Sequence, residues 1–144
     1  MSAAQLSRHI GRSVFAVVVG ILVGVIITLV TDAVLHKVGF FPPPGVPTPS
    51  GPLAVATAYR IVYSILGSYI VARLAPSSPM KHALISGWIG VIVSAAGAVA
   101  TWNQNLGPHW YPLALVVTAL PCAWAGGKLR MMQLPTEPAT AVVS

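Results

Sequence analysis

The sequence predicts an all-α integral membrane protein: a bundle of four transmembrane helices with both termini on the cytoplasmic side. Three observations predict it. Charge is scarce, with 7% of the 144 residues charged and 56% hydrophobic, against about 25% charged in an ordinary soluble domain. A soluble chain this short could not hide so much apolar surface, because small domains bury only part of theirs. Apolar runs recur four times near the roughly 20 residues a helix needs to cross a bilayer. Finally, Lys and Arg gather on alternate connections, as cytoplasmic loops require.

The first span is expected at 13–35. Arg8 and Arg12 precede it, as they would a signal peptide, but the apolar run is too long for one. It ends in TDAVLHK rather than a small-residue cleavage site, so the span is read as uncleaved. The stretch FFPPPGVPTPSGP, 40–52, is read as non-helical because its prolines lack N–H groups and disfavour helix before them. It could serve as a ligand for a proline-binding domain; a stiff extended spacer is the preferred reading. The second span is expected at 53–74. The turn APSSPMK, 75–81, offers Ser78 as a helix cap and Pro79 as a first helical residue. A third span is expected at 82–101. WNQNLGPHW, 102–110, is polar with Trp at both ends, which fits an aromatic belt at an interface. The fourth span is expected at 111–126, with Pro108 and Pro112 near its start and Pro121 as an interior bend whose freed carbonyl Thr118 or a neighbouring helix could satisfy. Gly126 and Gly127 are expected to end it, with Lys128 and Arg130 at its negative pole. Residues 1–130 form the membrane domain, and 131–144 read as a loose cytoplasmic tail.

Arg8, Arg12, Arg73, Lys81, Lys128 and Arg130 fall on one side of these spans and Lys37 on the other. The net charge of +6 therefore reports topology. No basic stripe interleaved with aromatics accompanies it, so nucleic acid is not an expected partner. The bilayer is. Cys122 is the single cysteine and lies in an apolar segment, which suits an inert buried thiol. His9, His36, His82 and His109 are not paired at ligand spacing, so neither a metal site nor a cofactor is expected. No hydrolase, metalloprotease or phosphate-loop pattern occurs, and the chain is not read as an enzyme.

Two rows of small residues mark contact faces. The first span carries Gly20, Gly24, Thr28, Asp32 and His36 at four-residue intervals, and the third carries Ala83, Gly87, Gly90, Ser94, Gly97 and Thr101. The third row suits a bundle core; the first leaves bundle core and dimer face both open. Arg60 is the anomaly, since a cation at a span centre costs about 2.5–3.5 kcal/mol on insertion scales. Asp32 is the one acidic residue inside a span. Counted by helix rise, both lie roughly 10 Å below the outer surface on adjacent antiparallel helices. A bidentate Asp32–Arg60 pair is expected. Thr28, His36, Tyr59, Tyr63 and Ser64 would surround it as a small polar cluster open to the outside. Such a pair is either a register lock, the preferred reading, or part of a proton path.

The run AYRIVYSILGSYIVARLAPSSPMKHALISGWIG, with LGPHWYP and LPCAWAGGKLR, resembles a group of small four-helix bacterial inner-membrane proteins of uncharacterised activity. The resemblance covers roughly 58–130. It implies the fold and an inner-membrane location, and it assigns no functional residue. The leading expectation is a structural or accessory membrane subunit, bound to itself or to a larger complex. The alternative is a small dimeric proton-coupled transporter with Asp32 as the coupling carboxylate. Chain length and span count suit small multidrug-type exporters, but those carry an unpaired acidic residue near mid-membrane, whereas Asp32 lies nearer the outer end. An intramembrane enzyme, or its lipid-binding partner, ranks last.

Overall fold

Four helices follow one another in the computed structural model, which describes residues 2–135. They are α1 (Ala3–Lys37), α2 (Ser50–Leu74), α3 (Pro79–Thr101) and α4 (Trp110–Gln133). All four are long and apolar enough to cross a membrane.

Each boundary has a local cause. α1 begins well before the expected span because Ser2 and Gln5 form a capping box: Gln5 N donates to the Ser2 hydroxyl at 3.3 Å, and Ser2 N to the Gln5 side chain at 3.0 Å. At 35 residues, α1 is roughly 52 Å long, well beyond the ~30 Å hydrocarbon core. Its other end closes in a Schellman turn. Gly39 takes φ +78°, its N–H reaches His36 O, and Phe40 N reaches Leu35 O at 2.9 Å. The proline-rich segment is shorter than its composition implied. Residues 50–52 already belong to α2, and Pro52 sits in its first turn, where no backbone N–H is needed. Ser78 occupies the cap position of α3 but with φ +44° and no side-chain cap bond. Its carbonyl instead receives Lys81 N and His82 N.

The fourth helix corrects the sequence reading most. Gly126 and Gly127 do not end it; it runs on to Gln133. The two glycines are contact points on two different neighbours. A Cβ on Gly126 would lie 2.5 Å from Ile65 O and 2.7 Å from Tyr69 N, both α2 backbone. A Cβ on Gly127 would lie 2.9 Å from Ala83 Cβ of α3. The loose tail expected at 131–144 is therefore helical at its start, and 136–144 lie outside the described residues. Thr118 does not satisfy the carbonyl that Pro121 frees; its hydroxyl donates to Ala114 O at 2.7 Å.

α4 packs between α2 and α3, while α1 lies along α2, touches α3 lightly, and makes no contact with α4 among the described residues. The GxxxG face of α1 is spent inside the bundle. A Cβ on Gly20 would strike Val71 Cγ2 and lie 2.6 Å from Gly67 O, and one on Gly67 would lie 2.9 Å from Gly20 O. Lipid-exposed helices associate by such close packing, since the solvent is as apolar as they are. The opposite face of α1 is left open, with Phe15, Leu22 and Ile26 exposed.

Candidate functional site

α1 and α2 meet a second time, nearer the end that carries the aromatic loops. Asp32 is gripped there by two side chains of α2. Tyr59 Oη donates a short hydrogen bond to Oδ1, and Arg60 Nη2 donates to Oδ2 at 2.6 Å. Residues 59 and 60 are sequence neighbours, so their side chains leave the helix about 100° apart and close on the carboxylate from two sides. The ion pair is part-buried, with 30% of the Arg60 side chain and 22% of Asp32 exposed. One turn further along α2, Tyr63 Oη and Thr31 Oγ1 meet at 3.0 Å, and the Tyr59 and Tyr63 rings lie 5.6 Å apart.

The pairing is not bidentate. Tyr59 occupies the second carboxylate oxygen, so the arginine fork engages with one nitrogen only. Among the described residues, Arg60 makes this single hydrogen bond; its Nε is buried with no partner. The face of the Tyr111 ring on α4 lies 5.8 Å from Arg60 Cζ, within cation–π range.

Two cavities flank Arg60. A lateral cleft of about 350 Å³ runs along α1 and α2 from Gly20 to Asp32. Its rim residues Val25, Leu29 and Val93 are exposed, so it opens sideways between α1 and α3. An outer pocket of about 440 Å³ lies between α2, α3 and α4, with the loops around Thr48 and Trp102–His109 at its mouth. Arg60, Val93 and Leu115 line both. The loops at the mouth are stitched together: Thr48 N donates to Leu106 O at 2.8 Å, Trp110 Nε1 to Ser50 Oγ at 3.3 Å, and His109 stacks on Trp102 at 4.3 Å.

The structure divides the expected polar cluster. Asp32, Arg60 and Tyr59 are in contact. Thr28, Tyr63 and Ser64 line the lateral cleft with Asp32, but the Thr28 hydroxyl bonds Gly24 O at 2.8 Å and Ser64 is exposed. His36 is not in the cluster. Its Nδ1 lies 2.8 Å from the Asp32 main-chain O, and its ring packs 5.1 Å from Phe41. The pocket open towards the loops is lined by Arg60 and not by Asp32. Sequence reasoning missed Thr31 and Tyr111. Thr31 is one residue from Asp32 and was readable as a neighbour; Tyr111 comes from a distant helix whose rotation no local pattern fixes. Among the described residues no three His, Cys, Asp or Glu side chains converge.

Comparisons with known protein families, with curated proteins and with solved structures return no match for this chain.

Proposed function

We propose that this chain is a structural or accessory subunit of a bacterial inner-membrane assembly, with both termini cytoplasmic and no catalytic role. The observation that carries the reading is how Asp32 is held. Both carboxylate oxygens accept hydrogen bonds from α2, one from a cation and one from a phenol. A carboxylate so engaged fixes the register of two helices, and proton exchange would require breaking both contacts. The end of the bundle bearing Arg8, Arg12, Arg73, Lys81, Lys128 and Arg130 is the cytoplasmic one under the positive-inside rule. The open apolar face of α1 is the surface left for a partner subunit.

A second reading, a dimeric proton-coupled transporter working through Asp32, has one observation in its favour: Asp32 borders the lateral cleft. Reconstitution separates the two. In proteoliposomes the wild type is expected to pass no proton or substrate flux above empty vesicles. The Asp32→Asn/Arg60→Gln double variant is expected to fold and to support whatever phenotype deletion reveals. A reproducible flux, abolished by Asp32→Asn in a protein that still folds, would make transport the better account. Cysteines placed at Ser50 and at Ser78, after replacement of Cys122, test the orientation. The first should label with an impermeant thiol reagent in whole cells and the second should not.

A further inference from the structure

Arg60 holds more hydrogen-bonding capacity than the register lock uses. A guanidinium carries five N–H donors. One nitrogen reaches Asp32, while Nε and Nη1 have no acceptor among the described residues. Tyr111 and Ser94 line the outer pocket with Arg60, and neither hydroxyl has a hydrogen-bond partner among the described residues. Nε is buried out of reach of either cavity, which leaves Nη1 and the two hydroxyls as the free donors of the residues lining the pocket, a set that suits an acceptor-rich ligand. Phosphate suits one guanidinium nitrogen and two hydroxyl donors, since its oxygens accept charge-assisted hydrogen bonds well.

The lateral cleft supplies the other half of the ligand. It is lined mainly by Gly, Ser, Ala and branched aliphatic residues, and it opens between α1 and α3, towards lipid in the membrane reading. From Gly20 to Asp32 it extends roughly 18 Å by helix rise, close to the ~15 Å depth of one leaflet of the hydrocarbon core. Both cavities fall within the few-hundred-Å³ range of small-molecule sites. They adjoin at Arg60, Val93 and Leu115.

We propose that the two cavities form one binding site for a phosphate-headed membrane lipid, with the phosphate on Arg60, Tyr111 and Ser94 in the outer pocket and an acyl chain along the lateral cleft. The headgroup would be drawn below the surface into the bundle. Asp32 keeps its place beside Arg60, so the same guanidinium ties α1 to α2 on one side and holds the phosphate on the other. The site rests on the membrane reading but not on the accessory role, and a lipid could occupy it in either kind of protein.

Native mass spectrometry of the delipidated full-length chain in detergent, titrated with dioleoyl phosphatidylglycerol, tests the site. One saturable lipid adduct per chain is expected. Gly97→Leu adds bulk at the wall of the outer pocket, where a Cβ on Gly97 meets nothing within 4 Å. Ser64→Trp fills the cleft from an exposed position. Each should weaken the adduct about tenfold or more, equivalent to about 1.4 kcal/mol. Tyr111→Phe with Ser94→Ala, which leaves the ion pair untouched, should weaken it several-fold. Inorganic phosphate and dioleoylglycerol, each lacking one half of the ligand, should bind at least about tenfold more weakly. Circular dichroism melts identify which variants fold; if one filling variant does not, the other and the hydroxyl pair decide. The proposal is overturned by the absence of a saturable adduct, or by an unchanged adduct in the folded variants. Equal binding of inorganic phosphate would mean a soluble-anion site, and equal binding of dioleoylglycerol an apolar groove alone; either also overturns it.

Discussion

The two halves of the bundle are held in different ways. In the half nearer the basic end, helices approach until backbone touches backbone. Gly20 meets Gly67, Gly126 meets the carbonyl of Ile65, and a Cβ on Gly87 would lie 2.5 Å from Ala123 Cβ. In the half nearer the aromatic loops, helices stand apart around the outer pocket and the Asp32 end of the lateral cleft, and are joined by polar side chains: Asp32 to Tyr59 and Arg60, and Thr31 to Tyr63. Close packing needs small residues and leaves no room; polar ties reach further and tolerate space between them. The difference shows where the molecule can change shape or admit a ligand. The glycine half keeps only the far end of the lateral cleft, bordered by Gly20, Gly67 and Gly87, and the intramembrane ion pair of Asp32 and Arg60 lies in the other half.

The largest effect should come from breaking the tight half. Gly126→Val places a branched side chain where even Cβ would meet α2 main-chain atoms at 2.5 and 2.7 Å. Main chain cannot rotate aside, so α2 and α4 must separate. The expected loss is about 3 kcal/mol, the upper end of ordinary overpacking. Unfolding with a denaturing detergent, followed by circular dichroism, measures it. A loss under about 1 kcal/mol would mean that the helices do not approach this closely.

A smaller effect is expected in the polar half. Arg60→Met leaves Asp32 with Tyr59 alone. Removing one partner of a fully buried pair costs about 3–5 kcal/mol. This pair is 30% and 22% exposed on its two sides, which softens the penalty to about 1–2 kcal/mol. Asp32→Asn should cost a similar amount. The double variant should be better than the sum of the singles, because neither charge is then left alone. A double variant as poor as that sum would mean that the contact contributes nothing. Tyr59→Phe is the milder member of the set, with a loss of about 1 kcal/mol, below the roughly 1.5–3 kcal/mol of a hydrogen bond to a charged group because the carboxylate is part-exposed.

Much of this division was open to reading in the sequence, and what was not has specific causes. Asp32 and Arg60 were legible because each is a solitary charge in an apolar run, so the search for a partner had one answer. The form of the contact was not legible. Whether Tyr59 or the second arginine nitrogen takes Oδ1 depends on helix rotation, which a four-residue spacing does not resolve. The capping box of Ser2 and Gln5 was readable from its spacing, yet the hydropathy of 13–35 concealed that the helix starts earlier. Gly126 and Gly127 were misread because glycine ends helices in water, where an αL residue satisfies the last carbonyls. In a membrane-spanning helix the same residue more often marks a close approach. The rows of small residues marked a contact face at Gly20, Gly87 and Gly90 but not at Gly97, and they did not name the neighbours, since a GxxxG surface fits any helix that comes near.

Gly87 and Gly97 put that last point to the smallest and most discriminating test. They belong to one ridge of α3 and look alike in the sequence. Gly87 is buried against α4, while Gly97 is exposed at the wall of the outer pocket and its added Cβ would touch nothing. Gly87→Ala should therefore cost about 1–2 kcal/mol through overpacking. Gly97→Ala should cost nothing, and should add up to about 1 kcal/mol because alanine loses less backbone freedom on forming helix. The measurement is the difference between two melts of near-identical proteins, so errors in the detergent reference cancel. Equal losses at the two positions would mean that the loop-end half of α3 is packed as tightly as the half nearer the basic end. The outer pocket would then be closed, and the contrast between the two halves would fail with it.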